Sequence, residues 1–85
     1  MNVNILFKKN EFEELQKFLF SKNISWLTSG YKILKNIERN ALRINSDNYV
    51  VYIDKEYKIH VCPNNELEFT TFKKLCRDLK IKKLL

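Results

Sequence analysis

Val3, Ile5 and Phe7 alternate with Asn2, Asn4 and Leu6 at the head of the chain. A period of two is that of a strand, here with Val3, Ile5 and Phe7 turned inward. The period then lengthens. Phe12, Leu15 and Leu19 recur at helical spacing with Phe18 on the shoulder, which predicts a helix over 11–22. Asn10 is the expected N-cap, with Glu13 three residues on to complete a capping box. Glu11, Glu13 and Glu14 fall in the first turn, where the helix dipole favours negative charge. Asn23 suits a left-handed stop.

Residues 24–27 return the chain toward the sheet, and the only glycine closes a Thr28-Ser29-Gly30 turn. Gly tolerates the positive φ such turns need. Trp26, between helix and glycine, is expected in the core near Leu15 and Leu19. Short strands are expected at 31–35 and 41–45, the second with Leu42 and Ile44 on one side and Arg43 on the other. Ser46-Asp47-Asn48 is a turn signal. Tyr-Val-Val-Tyr-Ile at 49–53 is aromatic and β-branched throughout, the composition of a strand. Asp54-Lys55-Glu56 turns the chain, and 57–62 alternates Tyr57, Ile59 and Val61 with Lys58, His60 and Cys62, making a hairpin. Pro63 ends it.

The last element has two readings at its start. Asn65 with Glu68 can form a capping box, or 67–69 is a short strand and Thr70 or Thr71 caps the helix. Either way Phe69, Phe72, Cys76 and Leu79 share a helical face, with the helix ending near Leu79. The order β-α-β-β-β-β-α predicts an α+β fold: a two-layer sandwich of an antiparallel sheet with two helices on one face. One domain over 1–79 is expected, followed by a basic C-terminal tail at 80–85.

Composition narrows the picture. A chain of 85 residues makes one domain and buries only about 60–65% of its unfolded surface. Six Phe, four Tyr and one Trp compensate, since aromatics give the most burial per residue. No apolar run approaches the roughly 18 residues of a membrane span. The opening Met-Asn-Val-Asn-Ile-Leu-Phe-Lys-Lys lacks the order of a signal peptide, so a cytoplasmic protein without membrane contact is expected. Cys62 and Cys76 lack the spacing of a zinc site and read as reduced, buried thiols.

Catalytic chemistry finds little support. His60, the only histidine, has Lys58 and Cys62 as its neighbours at strand spacing. Neither orients an imidazole, and a Cys62–His60 pair lacks a third group. The Glu11, Glu13, Glu14 cluster and the Asp54/Glu56 pair are explained by a helix start and a turn. A single glycine excludes a Gly-rich phosphate loop. No catalytic residue, metal ligand or cofactor is expected.

Charge is the global anomaly. Lys73, Lys74, Arg77, Lys80, Lys82 and Lys83 face only the carboxylate of Asp78, a net +5 of the chain's +6. Such a cluster attracts polyanions or an acidic protein surface. The second candidate surface is the sheet face away from the helices. With Leu42, Ile44, Val51, Ile53, Ile59 and Val61 inward, Arg43, Val50, Tyr52, Lys58 and His60 turn outward. Cations and aromatics on an open sheet stack bases and hold phosphates, and they equally anchor protein interfaces.

The run Glu11-Phe-Glu-Glu-Leu-Gln-Lys-Phe-Leu-Phe, followed by Trp26 and Ser29-Gly30, resembles that of small phage-encoded accessory proteins. They begin with a strand and a Leu-Gln-x-x-Leu-Phe helix, then a Trp with a Ser-Gly turn, a Tyr-rich hairpin and a short final helix. The likeness covers about residues 3–75. Leu27-Thr28 between Trp26 and Ser29, and the basic tail, depart from the pattern. The resemblance implies a phage setting, hence a host-cell cytoplasm, and proteins of that kind often block a host or defence enzyme by binding it. The expectation is a non-enzymatic binding protein, a phage-encoded inhibitor acting on host or anti-phage defence machinery. The alternative is a small nucleic-acid-binding protein using the basic C-terminus and sheet face.

Overall fold

The structure, a computed structural model, describes residues 2–84, with side chains described up to Asp78. Six strands form one sheet: β1 (Val3–Lys8), β2 (Ser25–Trp26), β3 (Leu42–Arg43), β4 (Asn48–Ile53), β5 (Lys58–His60) and β6 (Phe69–Thr71). Three α-helices accompany them: α1 (Phe12–Ser21), α2 (Ile37–Asn40) and α3 (Phe72–Leu84). The α+β class stands, but the sheet is mixed. Its order is β2-β5-β4-β1-β6, with β3 on the edge of β4. β1 pairs with β4 antiparallel and with β6 parallel, and β2 pairs with β5 parallel.

Two crossovers make the parallel pairs. The first leaves β1, passes through α1 and arrives at β2 on the far side of β4 and β5. The second leaves β5 and returns to β6 on the far side of β1. Its segment, 61–68, crosses the face opposite α1. Asn4, in the middle of β1, is tied to it: Nδ2 donates to the carbonyls of Asn64 (2.7 Å) and Leu67 (3.3 Å), and Oδ1 accepts from the Asn64 amide (2.8 Å). The two connections run in opposite directions on opposite faces, so they have the same hand, as a twisted sheet requires.

Register sorts the side chains. Ile5 opposes Val51, and Phe7 opposes Tyr49. All four face α1, where Phe12, Leu15 and Leu19 complete the buried cluster, joined by Phe72 and Leu75 of α3. Phe7 stacks between Phe12 (5.7 Å) and Tyr49 (6.3 Å), and Phe12 meets Trp26 edge-on (6.2 Å). Trp26 is buried, held by paired backbone bonds to Gly30, which has φ +61°. Its Nε1 donates to Oε1 of Gln16 (3.0 Å). That buried Gln16 also accepts from the Leu34 amide (2.7 Å) and donates to the Leu34 carbonyl (2.8 Å). One amide thereby fixes the Trp and the irregular segment 31–36 to α1.

Local differences from the expected elements have physical causes. A 3-10 turn, Lys9–Glu11, precedes α1, and Glu11 rather than Glu13 reaches back, accepting from the Lys8 amide (2.8 Å). Asn23 takes the left-handed conformation (φ 64°) expected after α1. Residues 31–35 form no strand, because Gln16 satisfies the Leu34 backbone in place of a ladder. The polar stretch after them is helical: Asn36 caps α2 by accepting from the Arg39 amide. At the other end, Phe69 is an exposed strand residue and Leu75 takes the buried helical position beside Phe72. Thr71 caps α3, accepting from the Lys74 amide (3.1 Å). The helix continues through Leu84, past the expected stop near Leu79.

Candidate partner-binding surfaces

The two candidate surfaces fare differently. On the sheet, Tyr52, Lys58 and His60 do share the face away from α1. Tyr52 opposes His60 across the β4–β5 pair, and their rings lie 5.2 Å apart. Arg43 does not join them. It opposes Tyr49, so it lies on the helix side, with its guanidinium 5.9 Å from the Tyr49 ring centre. The inward and outward assignment of β3 is thereby reversed. Leu42 and Ile44 are about half exposed, at 44% and 51%. The cause is position: β3 is a two-residue edge that pairs only at Val50 and Tyr49. Val61 is also exposed, because the chain leaves β5 at His60 to begin its crossing. Nor is the face open. The 61–68 segment lies over it, and Val50 and Asn4 are fully buried there.

His60 has the orienting group that strand-neighbour reasoning missed. Asp54 Oδ2 lies 2.6 Å from His60 Nε2, across the hairpin turn. An ionised carboxylate there requires the proton on Nε2. Asp54 Oδ1 accepts from the amides of Glu56 (2.8 Å) and Lys58 (3.0 Å). Burial opposes the Asp54 charge, but the His60 bond and the two amides outweigh it and hold the carboxyl below its ordinary range. The turn needs this clasp, because Tyr57 sits at φ 63°, a conformation costly for an aromatic residue. The alternation of 57–62 with an Asp six residues before His60 was the available signal.

The remaining polar groups of this face are also engaged. Tyr52 donates its hydroxyl to Asn2 (2.7 Å), and Lys58 Nζ donates to Ser25 Oγ (3.1 Å). Tyr52 and His60 border a cleft of about 790 Å³, with Trp26, Leu34, Arg39 and Cys62 among its walls. It lies where β4 changes partner from β3 to β5. Among the described residues, the hydrogen-bond partner of the imidazole is Asp54, so the pair acts as a clasp on the hairpin.

Replacing Asp54 by Asn tests the clasp. The carboxyl of Asp54 is held below its ordinary range in the folded state, so its contribution is present above the unfolded carboxyl range and is lost as pH falls through the folded value. The variant should be less stable than the parent by about 1–2 kcal/mol near neutral pH. The gap should close in strong acid. Thermal melts across a pH series measure it, and a pH-independent gap contradicts the assignment.

The C-terminal cluster is differently placed. Lys73, Lys74 and Arg77 are exposed on α3, and none forms an ion pair among the described residues. The backbone of Lys80, Lys82 and Lys83 belongs to the same helix; their side chains lie outside the described residues. Phe72 and Leu75 bury the first turn, and Cys76 packs partly against the core.

Fold and surfaces together define a small α+β protein with a mixed sheet, a strapped back face and a cationic terminal helix. Among the described residues, no helix is long and apolar enough to cross a membrane. Comparison with protein-family models, curated proteins and solved structures finds no match to this chain.

Proposed function

We propose that this chain is a non-enzymatic binding protein that docks α3 on an acidic protein surface, as a phage-encoded inhibitor of host or anti-phage defence machinery. The observation that carries the docking element is α3 itself. Its first turns are anchored by Phe72 and Leu75, while Lys73, Lys74 and Arg77 stand exposed without carboxylate partners among the described residues. A helix of net positive charge, with these cations unpaired among the described residues, favours association with the opposite sign. The phage setting comes from the sequence resemblance at 11–20 and Trp26.

Protein is favoured over nucleic acid by the state of the sheet. A base-stacking platform needs accessible aromatics on an open face. Here the 61–68 segment crosses that face, and Tyr52 is partly buried with its hydroxyl engaged by Asn2. The host cytoplasm is the compartment this reading implies.

The test is affinity capture from the bacterial host, with and without nuclease treatment, using the parent and a Lys80→Ser, Lys82→Ser, Lys83→Ser variant. A nuclease-resistant protein partner is expected. The variant should associate with it roughly ten- to a hundredfold more slowly at low salt. Capture that vanishes with nuclease supports the nucleic-acid alternative, and unchanged capture by the variant removes α3 as the docking element.

A further inference from the structure

The sheet and α3 part company at one point. The β1–β6 ladder ends at the pair Leu6–Thr71, and α3 turns away at Phe72 while β1 runs on to Lys8. Beside this step lies a groove of about 410 Å³, with Leu6, Ile44 and Phe72 among its apolar lining. Ile44 is about half exposed although it is a large aliphatic residue. Lys8 and Lys73 also line it, both exposed and neither paired with a carboxylate among the described residues. The one carboxylate of the lining, Glu11, is engaged by the Lys8 amide. Lys74 and Arg77, exposed on the same helix as Lys73, add further positive charge to α3.

We infer that this groove receives a bulky apolar side chain carried on an acidic segment of the partner protein. The inference rests on the proposed docking through α3 and specifies the chemistry of what docks. Size and lining suit one large aliphatic or aromatic group. The two lysines of the lining, unpaired among the described residues, suit carboxylates flanking that group. A featureless polyanion satisfies the cations but leaves the apolar floor wet, whereas an anchor flanked by Asp and Glu satisfies both. Burying the anchor gives the partner a specificity that charge alone lacks.

Two synthetic peptides separate these possibilities. One is a short run of Asp and Glu with a central Leu-Phe pair, and the other has Ser in place of that pair. Titration against the full chain, followed by amide chemical shifts, should show the first binding about ten- to a hundredfold more tightly. Its shifts should centre on Leu6, Ile44 and Thr71. Ile44→Lys alters an exposed wall and should fold normally, yet abolish the preference between the peptides. Equal binding of the two, shifts confined to 77–84, or no binding of either overturns the groove assignment. Preferential shifts at the groove with a single-stranded oligonucleotide overturn it in favour of nucleic acid. The host capture experiment judges α3 docking separately: loss of capture in the Lys80/Lys82/Lys83 variant, with equal peptide affinities, keeps the docking element and removes the groove.

Discussion

Trp26→Ala is expected to cost about 3–5 kcal/mol, the range for removing a buried aromatic. In a domain of this size that is a large share of total stability. Three losses combine at one site. The edge-on contact with Phe12 at 6.2 Å disappears. A cavity opens in the buried cluster to which Leu15 and Leu19 also belong. Gln16 Oε1 loses the indole N–H and keeps only the Leu34 amide as donor. Urea unfolding of the variant should show a chain mostly unfolded without denaturant. A midpoint close to the parent's would show that the site collapses without cost.

Asn4→Leu should have the next largest effect, about 2–4 kcal/mol, because it removes the fully buried amide that serves three part-buried backbone groups of the strap. The side chain is nearly isosteric, so packing changes little. What is lost is the anchorage of Asn64 and Leu67 to the middle of β1. The core on the helix side is untouched, so the damage should be local at first. Amide exchange should accelerate at 61–68 well before it does in β4. Uniform acceleration would mean that the strap and sheet open only together.

The difference between the well-read and the misread parts of this chain is one of range. β1, α1 and the β4–β5 hairpin follow from periods of two and 3.6, because their inward residues are set by local geometry. The Trp26 site followed from a helix end and a glycine. The mixed sheet did not follow, because nothing local in 65–71 says that Phe69–Thr71 will lie parallel beside β1. Gln16 and Asn4 were invisible for the same reason. Each is an ordinary polar residue on its own element, and its role is set by segments that arrive later. β3 was assigned to the wrong side because alternation in a two-residue edge strand has no buried face to enforce it. Of the candidate site, the cluster at 73–83 was plain in the sequence. The His60–Asp54 pair needed the hairpin closed. The groove between Leu6, Ile44 and Phe72 needed three elements brought together.

The place of β1 inside the sheet has a consequence for assembly. It is the first strand of this sequence, yet its neighbours on both sides come from the second half of the sequence. The β4–β5 hairpin can form from adjacent residues within microseconds. Closing β1 between β4 and β6 must wait for Thr71 and for the closure of long loops. A chain cut before Phe69 would keep the hairpin and α1 but leave β1 with an uncovered edge. Such an edge invites pairing with other molecules. Shortened forms of this protein should therefore aggregate rather than fold into a smaller version of the domain.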